Sequence, residues 1–138
     1  MQTTWKAPRK QTRIYTQAVV DQIPLIGGEF KPGDEIYFNT MTQKNDDYEQ
    51  YESEVWKPIV ADRVINMQHR WWVLSKVIDR SEDAYTGFSN VTWNATVDNA
   101  PALEMPQDFK SEKLFEAMNA SREMGPEQRA TLVFSSDQ

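Results

Sequence analysis

The 138-residue chain contains no cysteine. That one absence excludes disulfides, iron–sulfur clusters, thiolate zinc sites and cysteine nucleophiles together. Histidine is almost as scarce, His69 being the single one. A metal site would have to be carboxylate-rich, and a catalytic triad would have to use His69. Ser75 lies on the same stretch with Asp62 just before it, but six residues of extended chain span roughly 20 Å, so no triad closes within that segment. His69 reads more simply as a strand-end residue at solvent or at the edge of the core. Glycine is sparse too. Gly27-Gly28 and Lys31-Pro32-Gly33 lack phosphate-loop spacing, so nucleotide binding has no support. No long apolar run follows Met1, and the expectation is a chain without signal peptide or membrane span, made in the cytoplasm. The sequons at Asn90, Asn94 and Asn119 then read as chance.

Aromatic residues are plentiful. Trp, Tyr and Phe make up 12% of the chain, and each ring removes a large area from water when buried. They are densest in His69 to Arg80, where nearly every residue from Trp71 to Ile78 is aromatic, aliphatic or β-branched. Such residues suit a pleated strand. Alternation sends Trp71, Val73 and Val77 one way and Trp72, Leu74 and Ile78 the other. A strand apolar on both faces is normally covered on both, which makes this the expected central strand.

Before it, residues 1–11 lack a period and contain Pro8, as an extended basic N-terminal arm would. Residues 12–98 read as a β domain. Thr12 to Val20 has strand propensity, and Lys31-Pro32-Gly33-Asp34 is a strong turn that delivers a strand from Glu35 to Thr42. Gln43 to Gln50 reads as a polar loop. Tyr51 to Val60, with Pro58 marking an edge or bulge, reads as a strand, and Arg63 to Met67 as a short one. Past the central strand, Val91, Trp93, Ala95 and Val97 alternate with Thr92, Asn94 and Thr96, which predicts one face in the core and one in water. Residues 99–107, with Pro101 and Pro106, form a linker. Residues 108–124 predict a helix, capped by Asp108 or Ser111, with Leu114, Phe115 and Met118 on its inner stripe and Gly125-Pro126 as its stop. Residues 125–138 form a tail with a last apolar run from Ala130 to Phe134. The expected fold is mainly β within the α+β class. It is an antiparallel small barrel or sandwich of about six strands, with one C-terminal helix and extended terminal arms.

The net charge of −6 is unevenly spread. Lys6, Arg9, Lys10 and Arg13 make the first residues cationic, with Trp5 among them. Asp46, Asp47, Tyr48, Glu49, Tyr51, Glu52 and Glu54 form an acidic strip interleaved with tyrosine. The strip is not a calcium loop, because the required glycine and ligand alternation are missing. Four arm cations on an acidic chain are a weak nucleic-acid footprint, and Trp71 and Trp72 are better explained by packing.

No catalytic, cofactor-binding or metal-binding residue stands out. The sequence points to a non-catalytic interaction or assembly module, a small structural protein of the virion or particle type. Trp5 and the basic arm, the acidic strip, and Leu132, Val133 and Phe134 of the tail would contact protein partners, other copies or neighbouring subunits, with no nucleic acid and no membrane. An alternative is an acidic decoy that mimics nucleic acid toward a basic protein. A third reading is an enzyme using paired carboxylates.

Overall fold

The computed structural model describes residues 15–82, 84 and 87–131. The basic arm, with Trp5, Lys6, Arg9, Lys10 and Arg13, and the tail residues Leu132, Val133 and Phe134 lie outside the described residues.

Five antiparallel strands make one open sheet: β1 (Tyr15–Ile23), β2 (Glu35–Gln43), β3 (His69–Arg80), β4 (Asn90–Thr96) and β5 (Arg122–Thr131). Their order is β1-β3-β4-β2-β5. The broad mainly-β, α+β expectation holds. The finer one of six strands in a barrel or sandwich does not, because among the described residues β1 and β5 lie at opposite edges of a single sheet and no closure joins them. β3 is an interior strand, paired with β1 and β4, while β4 occupies the middle. Trp72 and Leu74 have no exposed surface, but Ile78 is 60% exposed, so cover on that face ends before the strand does.

The largest departure from the sequence expectation lies between β2 and β3. The stretch assigned to two strands is one helical segment: α1 (Tyr48–Tyr51), a π turn (Glu52–Trp56) and α2 (Lys57–Ile65). Strand propensity in Val55, Trp56, Ile59 and Val60 is overridden by packing. Tyr48, Glu52, Trp56 and Val60 recur every four residues, and three of them are fully buried against Met41, Trp72 and Leu74. In a plain α-helix that spacing drifts around the axis, since a turn takes about 3.6 residues. The wider i→i+5 turn compensates the drift and keeps the four side chains on the sheet. Pro58 is no edge marker. It sits in the first turn of α2, directly after the π turn, where an α ladder would miss its N–H.

The C-terminal helix is α3 (Phe109–Ala120), capped as expected by Asp108, whose carboxylate accepts from Ser111 N at 3.1 Å. Met118 is buried, while Leu114 on the expected stripe is more than a third exposed. The helix stop was misplaced. Ser121 ends α3, and Gly125-Pro126 lies inside β5. Pro126 is tolerated there because β5 is an edge strand. Gly125 is required by close approach: a Cβ would come within 2.4 Å of Thr40 Oγ1 and 3.1 Å of the Thr40 carbonyl, where the β2–β5 register shifts between Asn39 and Met41.

The faces of β4 were also misread. Cross-strand pairs share a face, and Thr92 pairs with Leu74 and Asn39, Asn94 with Trp72 and Tyr37. The polar set Asn90, Thr92 and Asn94 is therefore on the side that the helical segment covers, and all three are buried. Val91 and Ala95 are buried on the opposite side, where Trp93 stacks on Phe38 at 4.9 Å. Residues on both faces of β4 are buried, so period-two polarity gave no direction.

Gly125→Ala is expected to destabilise the fold by about 1–3 kcal/mol through overpacking against β2. Adding Thr40→Ala removes the nearer clash and should recover part of the loss. Urea midpoints for the single and double variants check this; a neutral Gly125→Ala would show that β5 is not pressed on Thr40.

Candidate functional site

Between the inward face of the sheet, the helical segment and the stretch 100–103 lies a cavity of about 650 Å³. Its floor carries Tyr37 and Asn39 from β2 and Thr92, Asn94 and Thr96 from β4. Glu52, Trp56, Val60 and Arg63 descend from the helical segment, while Arg122, Met124, Glu127 and Arg129 come from β5. The linker is thus a wall of this cavity, and Arg63 Nη1 holds it there by donating to the Pro101 carbonyl at 3.2 Å.

At the end nearer β3, Arg63, His69 and Asn94 form a buried chain. Arg63 Nε donates to His69 Nδ1 at 3.3 Å, and His69 Nε2 lies 2.8 Å from Asn94 Oδ1. Burial holds His69 below the ordinary histidine range, and the Arg63 charge pushes it further, against the opposing pull of Asn94. The ring is neutral at pH 7, and both nitrogens are occupied. His69 is neither at solvent nor placed for a triad: Ser75 sits on the same strand with its hydroxyl donating to the Val91 carbonyl at 3.1 Å. Tyr37 meets His69 edge-on at 6.4 Å, and its own hydroxyl is pushed up by burial, so it stays protonated.

At the other end, Glu52 has no exposed surface. Its Oε1 accepts from Arg122 Nη1 at 2.5 Å and from the Tyr48 hydroxyl at 3.2 Å. Burial pushes the Glu52 carboxyl up, while Arg122 and Tyr48 pull it back without cancelling that rise. Arg129 is at the rim, with its guanidinium over the Tyr37 ring at 5.3 Å and bridging Glu35 and Glu127 at 2.6 and 3.2 Å.

The acidic strip does not present one surface. Tyr48 and Glu52 point into the core, Tyr51 is half-buried, and Glu49 accepts from the buried Asn90 amide at 2.9 Å. Asp46, Asp47 and Glu54 are exposed. Among the described residues no cluster of three His, Asp or Glu side chains could hold a metal ion, and no helix is long and apolar enough to cross a membrane.

Sequence reasoning missed Tyr37, Arg63, Asn94 and Arg122. The signal was available in the four-residue recurrence of Tyr48, Glu52, Trp56 and Val60, which continues one turn later to Arg63. Comparison with protein-family models, with curated proteins and with solved structures gives no match.

The His69 arrangement has a pH consequence. Its folded-state pKa is lowered, so the unfolded chain binds the proton more readily. The stability His69 contributes is present above about pH 6.5 and lost as pH falls through the lowered native value. Glu52, raised in the fold, acts in the opposite sense, so a comparison of variants isolates the histidine. Between about pH 7 and pH 5 the wild type should lose more stability than His69→Gln in urea titrations. Equal losses would show that His69 is not held neutral by its partners.

Proposed function

We propose that this chain is a small-molecule-binding domain whose ligand occupies the cavity between the sheet and the helical segment. The observation that carries this reading is the inward turn of the polar side of β4. Thr92 and Asn94 are 3% and 7% exposed, and with Thr96 they line a space of about 650 Å³. Buried polar side chains cost stability unless they are answered, and a row of them along a cavity is how binding pockets fix the orientation of a ligand. Met41, Trp56, Val60, Leu103 and Met124 give the wall an apolar part that suits an organic body. His69 has neither nitrogen free and serves to position Asn94.

A fragment screen by NMR, with neutral, cationic and anionic compounds read on the labelled protein, tests this. Hits should shift the backbone amides of Thr92, Asn94 and Arg63, and Thr92→Phe, which fills the space, should abolish binding. A screen without hits, or hits that map to the outer edge of β1, would sink the pocket reading.

We also propose a second reading, that the chain associates with protein partners through its termini and edges. It is favoured by the outer strands: β1 and β5 are unpaired on their outer sides among the described residues, and β1 exposes Val19 by 60%. Such edges readily accept another strand unless something covers them. Exposed Asp46, Asp47 and Glu54 leave part of the acidic surface for a basic arm. Replacing Lys6, Arg9, Lys10 and Arg13 by Glu should abolish association in sedimentation, since exposed pairs worth only about 0.2–1 kcal/mol each act together. Unchanged sedimentation would end this reading.

A further inference from the structure

One corner of the cavity specifies the ligand's chemistry, given the pocket reading above. Arginine donates and cannot accept, so Arg63 Nε at 3.3 Å fixes His69 Nδ1 as an acceptor. The proton of the neutral ring is then on Nε2, and that N–H donates to Asn94 Oδ1 at 2.8 Å. With its oxygen so taken, the Asn94 amide is oriented, and its Nδ2 is left as a donor on the cavity floor. Arg63 is similarly committed at Nε and at Nη1, which donates to Pro101 O. Its Nη2 makes no hydrogen bond to any described residue. The corner presents N–H donors that no acceptor among the described residues answers.

Charge points the same way. Glu52 is held by Arg122 and Glu127 by Arg129, so each carboxylate on the wall has a cationic partner. Arg63 is only 9% exposed, and among the described residues no carboxylate lies within ion-pairing distance of it. A buried guanidinium without a counter-ion is costly, and an anion seated beside it removes that cost. Unanswered N–H donors select for an acceptor, a buried cation with no ion-pair partner among the described residues selects for a negative one, and the apolar part of the wall selects for carbon behind it.

We infer that the ligand is a small organic carboxylate, its oxygens bound by Arg63 Nη2 and Asn94 Nδ2 and its apolar body lying along Trp56, Val60 and Leu103. Nε is engaged by His69 and Nη1 by Pro101, so Arg63 offers its Nη2 group to the ligand, and Asn94 supplies a second donor. The side-on fork of Nε and Nη2 that arginine often offers a carboxylate is closed here by His69.

The experiment compares matched acids and amides: benzoate with benzamide, 3-phenylpropionate with 3-phenylpropionamide, and decanoate with decanamide, with inorganic phosphate as a separate arm. Binding is read by calorimetry and ligand-observed NMR on the full chain. At least one acid should bind about tenfold or more tighter than its amide. Arg63→Met should remove that preference. Asn94→Asp keeps the acceptor for His69 but replaces the donor with a like charge, so it should weaken the acid and leave the amide within about twofold; it also serves if Arg63→Met fails to fold. Acids and amides that bind equally well overturn the carboxylate inference and leave the pocket standing. Phosphate that displaces the acids at equal concentration overturns the organic part. If no acid or amide binds and the fragment screen is also empty, the pocket reading falls and takes this inference with it.

Discussion

A carboxylate with no exposed surface must be met by a cation or give up its charge, and the structure answers Glu52 with Arg122. The pair joins the π turn to the first residue of β5, two elements 70 positions apart in the chain, and the Tyr48 hydroxyl closes on the same oxygen. β5 is otherwise an exposed strand at the edge of the sheet, so this contact helps fix where it begins. Ion pairs of this kind are not strong sources of stability, because desolvation opposes most of the Coulomb gain. Their effect is on geometry: removing either partner leaves a buried charge, so few alternative placements of the helical segment are tolerated. With that segment placed, Val60 reaches the core and Arg63 reaches the far end of the cavity.

The contrast between the two buried arginines on this wall gives the site its direction. Arg122 and Arg63 are equally hidden, at 8% and 9% exposure, yet one is neutralised and the other, among the described residues, has only a histidine and a carbonyl. The neutral partners of Arg63 are also informative. A carboxylate in the place of His69 would have satisfied the charge, whereas imidazole transmits orientation from Arg63 to Asn94 without doing so.

What the sequence reveals of this fold follows the features in which local chemistry decides alone. The Lys31-Pro32-Gly33-Asp34 turn, the Asp108 cap, β2 and β3 are set by turn residues, capping side chains and β-branched runs, and they stand where expected, whereas β1 runs on to Ile23, three residues past the expected end. Failures fall where tertiary contacts overrule a local signal. Tyr51 to Val60 is rich in strand formers, but its burial every four residues against Trp72 and Leu74 makes it helical, with a π turn that a 3.6-residue period does not detect. Gly125-Pro126 carries a helix-stop signature whose cause lies 85 positions away, at Thr40. The site was missed for a related reason. Candidate residues were sought in runs, namely the arm, the acidic strip and the tail, whereas Arg63, His69 and Asn94 converge from three separate elements.

The two faces of β4 explain why such a cavity can exist beside a well-packed core. Where β3 supplies Trp72 and Leu74 and β2 supplies Met41, the helical segment is drawn onto the sheet and the space closes. Across the sheet from Leu74 and Trp72, on the same rows, the floor changes to Thr92, Asn39 and Asn94, whose side chains offer hydrogen bonds and little apolar area. Collapse there would bury more polar groups without partners and gain little in return. Arg63 holds the linker over the opening through Pro101, and the proline-bearing stretch 100–103 forms no regular element that could fold down into it. The polar floor keeps the space open, the apolar core beside it keeps it rigid, and the unmatched cation at its end gives a carboxylate reason to enter.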